Sequence, residues 1–324
     1  MDKLKVAVIG CGNISPVHIA AIQSLENAEL YAVCDIDRSR ANAFAEKYGT
    51  KAVYDYEKIL GDPEVDVVHI CTPHWLHGPM TIAAADTGKH IFLEKPAGLS
   101  ISEINDISEA VKDNNVKCCV SFQNRQNPSI KYIKEHRNEL GNLLGIKGIL
   151  TWHRTMDYYN SADWRGKWET EGGGLMVNQA IHTLDLLCYI GGEVESAKGF
   201  CARRLLDIEV EDTAECFIRF KNGATGIFFA TNNFTTDSTV DIEMHFEKGI
   251  YRYVNNTLYD NNLNIVAADD KDTPGKCYWG AGHKELITNF YKNLQGEDVA
   301  YWDVSEALAS MSIIEEIYKN KENC

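Results

Sequence analysis

Two hydrophobic periods alternate along the first third of the chain. Lys5 to Ile9, Glu29 to Cys34, Val65 to Ile70 and His90 to Leu93 are short apolar runs, the signature of strands buried on both faces. Ala52-Val53-Tyr54 and Lys117 to Ser121 read as two further strands. Between them lie stretches with helical spacing: Pro16 to Leu25, Arg38 to Tyr48, Tyr56 to Leu60, Gly78 to Thr87 and Ser102 to Asp113. Ser15 stands where it would cap the first, Gly49 closes the second, and Ser100 or Ser102 would cap the last. Strand and helix in strict alternation predict a parallel sheet covered on both faces, an α/β doubly wound fold.

The pattern changes near Phe122. After a helix at Pro128 to Leu140, period-two alternation dominates: Gly145 to Arg154, Glu195 to Ala202, Asp212 to Phe220, Ala224 to Thr231, Val240 to Phe246 and Gly249 to Val254. Asn222-Gly223 and Lys248-Gly249 read as hairpin turns. A second, α+β domain with a large, mostly antiparallel open sheet is expected, giving domains at 1–122 and 123–324. Three helices interrupt the strands. One runs from Leu175 to Ile190; the others, His283 to Leu294 and Ser305 to Tyr318, carry apolar stripes that read as core.

A length of 324 residues fits two domains. The formal net charge of -15 argues against nucleic acid and anionic membranes as partners. No apolar run reaches the length of a membrane helix, and the N-terminus shows no signal-peptide pattern. The ten cysteines have no CxxC pair or regular spacing, so they read as reduced thiols of a cytoplasmic protein without a metal site.

The first strand runs into Gly10-Cys11-Gly12-Asn13-Ile14-Ser15 and then a helix. Two glycines let the backbone turn where N–H groups and a helix dipole face an anion, so the stretch reads as a pyrophosphate site. The third glycine of the usual fingerprint is Ser15 here. The second strand ends at Asp35, placed to bond the adenosine ribose hydroxyls and to repel a 2′-phosphate, which favours NAD over NADP; Arg38 nearby could accept that phosphate.

Ligands of doubly wound sheets bind beyond the carboxyl ends of the strands. Cys71-Thr72-Pro73-His74-Trp75-Leu76-His77 and Glu94-Lys95-Pro96 sit at such ends. Lys95 there can bond a substrate hydroxyl and stabilise a developing alkoxide; the alternative is a surface lysine paired with Glu94. Further on, Gly172-Gly173-Gly174 precedes a helix on which Asn178, His182 and Asp185 share a face. His182 can exchange a hydroxyl proton and Asp185 can orient it; hydrogen-bonded core polar groups are the alternative.

Together these motifs resemble the Gfo/Idh/MocA oxidoreductases over nearly the whole chain, including the late segment Gly282-His283-Lys284-Glu285-Leu286-Ile287. The resemblance implies a Rossmann domain followed by an α/β domain with an open mixed sheet. It also implies NAD(P)-dependent oxidation or reduction of sugars, inositols and related polyols. It makes Lys95 the catalytic lysine and His182 the acid/base, with Glu94 and Pro96 holding the nicotinamide end of the cofactor. Two positions depart from the family. Asn178 stands where inositol dehydrogenases carry Asp, which shifts the proton to His182 and argues against inositol. His74 stands where Asn is common, which bears on the ribose contacts.

Two flanking stretches are expected to shape the substrate pocket. Gln123, Asn124 and Arg125 follow the last strand of the first domain, and Gln123 is expected at the cofactor. Asp157-Tyr158-Tyr159 and Asp163-Trp164-Arg165-Gly166-Lys167-Trp168 precede the glycine run. Tyr158 and Trp164 could stack on a sugar face and Arg165 bond hydroxyls, while core or subunit packing is the other use of the aromatics. The expected partners are a sugar or polyol substrate and, across the apolar face of the second sheet, further copies of the chain as a homodimer or homotetramer. Two other readings remain: an NAD-retaining glycosidase or epimerase that oxidises transiently, and a non-catalytic sensor of the same fold.

Overall fold

The computed structural model describes residues 3–269 and 282–319. The chain forms two compact units, one of residues Met1–Ser121 with His283–Ala307, the other of Phe122–Gly282 with Leu308–Cys324.

In the first unit, strands β1 (Leu4–Ile9), β2 (Ala28–Cys34), β3 (Lys51–Val53), β4 (Val67–Ile70), β5 (His90–Leu93) and β6 (Cys118–Val120) form one sheet in the order β3-β2-β1-β4-β5-β6. Every pairing is parallel. Helices α1 (Ser15–Gln23), α2 (Arg38–Tyr48), α3 (Tyr56–Leu60), α4 (His77–Asp86) and α5 (Ile101–Asp113) connect them. Val6, Val8, Val33, Val67, Ile91 and Phe92 are fully buried, as strands covered on both faces require. The strand order reverses between β1 and β4, so the ends of these two strands flank the crevice where such folds bind ligands.

Local signals explain the helix ends. Asp37 accepts hydrogen bonds from the Ser39 and Arg40 amides at the start of α2, which stops at Gly49 with φ +67°. Ser100, rather than Ser102, caps α5 by accepting from Glu103 N. Ser15 does not cap α1. It lies inside the helix, where its Oγ donates to the Gly10 carbonyl and accepts from Gly12 N, so it braces the turn.

In the second unit, helices α6 (Pro128–Glu135) and α7 (Arg137–Leu140) lead into β7 (Leu143–Thr151). Then come α8 (Met156–Tyr159), α9 (Trp168–Glu171), α10 (Leu175–Asn178) and α11 (Ile181–Gly191). Strands β8 (Val194–Ala202), β9 (Thr213–Phe220), β10 (Thr225–Thr231), β11 (Asp241–Phe246), β12 (Gly249–Val254), β13 (Thr257–Tyr259) and β14 (Ile265–Ala268) complete an eight-stranded sheet. Its order is β14-β13-β12-β11-β7-β10-β9-β8, and only β7 and β10 pair in parallel. One face is covered by α11 and by the last helix, α13 (Leu308–Tyr318). The other presents Phe200, Phe217, Ile227 and Ile250, each at least one-third exposed; Phe217 and Ile227 are direct cross-strand neighbours.

Three expectations need correction. The segment from 283 to 307 packs with the first unit, although it follows the second in sequence. Helix α12 (Gly282–Leu294) buries Leu286, Ile287, Phe290 and Tyr291 in the same core as Val6, Val8 and Phe92. The helix read from Leu175 to Ile190 is broken at Gln179-Ala180, and the one from Pro128 to Leu140 at His136. Strands β13 and β14 carry too few alternating residues to be read; Asn255 and Asn256, both with positive φ, make the tight turn that starts them. Among the described residues, no helix is long and apolar enough to cross a membrane.

Candidate active site

The turn after β1 is fixed by contacts from two other strands. Gly10 has φ +93°, and a Cβ there would lie 2.5 Å from the Cys71 carbonyl oxygen. The amide of Cys11 donates to Asp35 Oδ2 at 2.9 Å, and Asp37 N donates to Oδ1 at 2.9 Å. Asp35 thus holds the turn as well as ending β2, with its carboxylate nine-tenths buried. At Gly12 a Cβ would meet nothing within 4 Å, so the glycine leaves a space over the turn. Helix α1 has no side-chain cap, and Pro16 at its start has no N–H. Bare amides, an open cradle and a carboxylate at the ribose position fit a dinucleotide. Asn13 is exposed and Ile14 half-buried at this rim. Arg38 stacks over the Tyr54 ring at 4.7 Å, and Arg40 is the guanidinium beside Asp35, 3.6 Å from Oδ2. Of the two arginines, Arg40 is the one beside the Asp35 carboxylate.

The ends of β4 and β5 are tied together by His77. Its Nδ1 lies 2.7 Å from the Pro96 carbonyl and its Nε2 2.9 Å from the Thr72 carbonyl. Burial outweighs these carbonyls and lowers its pKa. His77, expected at the cofactor, braces the segments that carry Thr72, Pro73, Lys95 and Pro96. His74 is buried in the 3-10 turn that follows Pro73, its ring 5.8 Å from that of His77. The reading of Glu94 as partner of a surface Lys95 gives way to another pairing: Glu94 is buried and its Oε1 lies 2.9 Å from His18 Nε2. From Ile91 to Gly98, Lys95 is the one residue that keeps partial exposure.

In the second unit the glycine run is built around Glu211. Its carboxylate accepts from Gly174 N and Met176 N, both at 2.9 Å, and from Tyr318 Oη at 2.7 Å. A Cβ on Gly173 would lie 2.2 Å from Tyr318 Oη, and one on Gly174 2.1 Å from the Glu211 carbonyl. The glycines are thus a close-approach device that seats α10. Although the helix breaks after Asn178, Asn178 and His182 are the only residues from Gly173 to Cys188 that are not buried.

A polar cluster holds this surface in place. Tyr158 Oη accepts from Gln179 Nε2 at 2.9 Å, from Asn178 Nδ2 at 3.3 Å and from Arg165 Nη1. Arg165 also lies over the Tyr158 and Trp164 rings at 4.4 and 4.5 Å. Tyr158, Trp164 and Arg165, expected at the substrate, are therefore one half-buried assembly with Asn178. Glu171, which sequence reasoning missed, accepts from Gly166 N and Asn178 Nδ2. Gln123 and Asn124 are buried in a 3-10 turn. Arg125, in the same turn, is 2% exposed and Asp185 1%. Arg125 Nε donates to Asp185 Oδ2 at 2.9 Å and Nη2 to Oδ1 at 2.6 Å. Arg125, expected at the substrate, and Asp185, expected to orient His182, are thus the two halves of a buried ion pair.

Comparison with known proteins places the chain. Residues 4–122 match the family described as an oxidoreductase family with an NAD-binding Rossmann fold, and residues 135–252 match the GFO/IDH/MocA C-terminal domain. The chain belongs to the Gfo/Idh/MocA oxidoreductase family. As a member it is an NAD-dependent oxidoreductase, and the open turn at Gly12 fits that cofactor. It is 26% identical over 312 residues to myo-inositol 2-dehydrogenase of Thermotoga maritima, covering 90% of this chain and 88% of that protein. It is 33% identical over 234 residues to the NAD-dependent scyllo-inositol 2-dehydrogenase of Bacillus subtilis, covering 69% and 66%. Among solved structures, the WlbA dehydrogenase of Chromobacterium violaceum in complex with NADH and UDP-GlcNAcA superposes with TM-score 0.89 at 29% identity, covering 99% of this chain and 94% of that one.

Proposed function

We propose that this chain oxidises or reduces a secondary alcohol of a sugar, sugar derivative or polyol, with Lys95 bearing on the substrate oxygen and His182 exchanging its proton. Bound NAD supplies the hydride acceptor or donor. The observation that carries the reading is selective exposure: Lys95 alone from Ile91 to Gly98, and Asn178 and His182 alone from Gly173 to Cys188, reach the surface of otherwise buried stretches. An ammonium group stabilises charge that develops on an oxygen as its proton leaves. An imidazole titrates near neutrality and suits the proton transfer. Asn178 has no group that titrates near neutral pH; its amide, held by Glu171 and Tyr158, is suited to orient a hydroxyl. The names of the relatives support the sugar and polyol class, and the amide in place of an acid argues for a substrate other than inositol.

The test is purified protein with NAD and a panel of aldoses, glycosides, nucleotide sugars and inositols, followed by NADH absorbance. NADH formation with at least one secondary alcohol is expected. Absence of NADH with every member would overturn the reading, and tightly retained NAD without free NADH would point to transient oxidation.

The exposed apolar face around Phe217 and Ile227 supports assembly as a homodimer or homotetramer. Charging both positions with lysine should yield a monomer in light scattering. The eight cysteines among the described residues are all buried and form no disulfide with one another, which supports a reducing, cytoplasmic setting.

A further inference from the structure

The core of the first unit contains a line of polar groups that no step above uses. Tyr291 Oη, on α12, lies 3.0 Å from His69 Nε2, on β4. His69 Nδ1 lies 2.9 Å from His18 Nδ1, on α1, and His18 Nε2 lies 2.9 Å from Glu94 Oε1, at the end of β5. His18, His69 and Tyr291 have no exposed surface. His283 Nε2, also buried, lies 3.7 Å from the same Glu94 oxygen.

We propose that Tyr291, His69, His18 and Glu94 act as one hydrogen-bonded line in which His18 and His69 are positioning residues that pin the Glu94 carboxylate beside Lys95. The proposal rests on the role given to Lys95 above.

Two nitrogens facing each other at 2.9 Å share a single proton, so with Glu94 ionised the line has two consistent proton arrangements. In one, Tyr291 donates to His69, His69 to a neutral His18, and His18 to Glu94. In the other, His18 is an imidazolium that donates to both Glu94 and His69, and His69 donates to Tyr291. The surroundings select the second. Burial opposes charge on His18, but the neighbouring Cys71 and Glu94 outweigh it and raise its pKa to about 10. Burial also opposes charge on Glu94, yet His18 and His283 hold its carboxyl well below the ordinary range. Burial and the charge on His18 keep His69 neutral. The remaining groups are His283, whose pKa is lowered by burial, by His18 and by Lys95, and Asp66, which acts on Tyr291.

A buried ion pair is weak evidence for stability, because apolar side chains of similar volume hold a core as well. Position gives this one a use. Glu94 immediately precedes Lys95, and the Lys95 ammonium acts on both His77 and His283. A carboxylate left mobile there would compete with a substrate oxygen for the ammonium. The His18 imidazolium engages that carboxylate. Among the described residues, His18, Glu94 and His283 also form the one group whose ligand atoms, all within 4.8 Å, could surround a cation. The 2.9 Å spacing of His18 and Glu94 is that of a shared proton.

The test combines nitrogen-15 histidine spectra of the full NAD-loaded protein with kinetics of His18→Gln and Tyr291→Phe. One histidine should keep both ring nitrogens protonated from about pH 6 to about pH 8, and His18→Gln should abolish that signal. His18→Gln should lower kcat roughly 10–100-fold, the range for groups that orient a reactive residue, with substrate KM little changed. It should also introduce a new acid limb in the pH profile, because Glu94 then titrates. Tyr291→Phe should act in the same direction and more weakly. A neutral His18 at pH 7, or a bound metal ion on its ring, would overturn the proposal. So would a His18→Gln enzyme that loses melting temperature but keeps the wild-type kcat and pH profile. If His18→Gln does not fold, the wild-type spectra and Tyr291→Phe decide. If the wild-type protein oxidises no alcohol, the proposed function fails while the spectra still judge the line.

Discussion

Glu171 accepts a hydrogen bond from the side-chain amide of Asn178 and, through its other oxygen, one from the backbone of Gly166. A single buried carboxyl thus joins the Arg165 loop to the helix that leads to His182. Burial dominates its chemistry and pushes its pKa up to about 7, against the lowering effects of Gly166, Asn178 and Arg165. A raised carboxyl pKa means that the folded state binds the proton more tightly than the unfolded chain does. Its stabilising contribution is therefore fully present below the unfolded value and is lost as pH rises to about 7. The loss is on the order of 3 kcal/mol at most, at about 1.4 kcal/mol per unit. Thermal melts from acid to neutral pH should show this decline in the wild type. Glu171→Gln, which keeps shape without titrating, should flatten it. A wild-type slope unchanged in the variant would refute the assignment.

On the proposed function, Lys95 and His182 are the two residues on which the chemistry depends. Lys95→Ala and His182→Ala should each lower turnover by about 10²–10⁴-fold. Both residues are partly exposed, so neither truncation leaves a cavity in the core. Circular dichroism should be unchanged, and NAD should still raise the melting temperature of both variants. Near-normal turnover in both would end the proposed mechanism.

Much of this arrangement was legible in the sequence, for a physical reason. Periods of two and 3.6 residues record burial directly, and strand ends in a parallel sheet define where ligands meet the fold. On that ground Gly10, Asp35, Thr72 and Lys95 all fall at the carboxyl ends of β1, β2, β4 and β5. What escaped was long-range or depended on phase. An apolar stripe on α12 says that the helix is buried, not in which unit. Arg38 and Arg40 are equally plausible neighbours of Asp35 until the first turn of α2 orients one toward Tyr54 and the other toward the carboxylate. Glu211 lies 37 residues from the glycine amide it accepts from, and nothing local announces it. The break at Gln179-Ala180 has neither glycine nor proline to mark it. Arg125 and Asp185 each looked available because their partner is 60 residues away.

The two glycines of the cofactor turn should fail in different ways. At Gly10 a side chain meets a positive φ and a carbonyl oxygen at 2.5 Å, so Gly10→Ala should destabilise the fold itself. At Gly12 a methyl group enters empty space in the protein, so Gly12→Ala should melt like the wild type. It should nevertheless lose about tenfold or more in NAD affinity, about 1.4 kcal/mol, because the methyl stands where a diphosphate would approach. Calorimetric titration with NAD beside melting curves separates the two. Wild-type affinity in Gly12→Ala would move the diphosphate away from this turn.

The Arg125–Asp185 pair makes the opposite prediction from a substrate ligand. With both groups at or below 2% exposure, removal of one leaves the other charged and buried without its bidentate partner. Asp185→Ala should therefore cost about 3–5 kcal/mol in urea unfolding. The double replacement Arg125→Met with Asp185→Leu should recover most of that loss, because apolar side chains then fill the same space. A residue that bonds substrate hydroxyls would instead raise KM and leave the unfolding midpoint in place. If Asp185→Ala folds with wild-type stability, the bidentate contact contributes little to the core and Asp185 returns to consideration as a partner of His182.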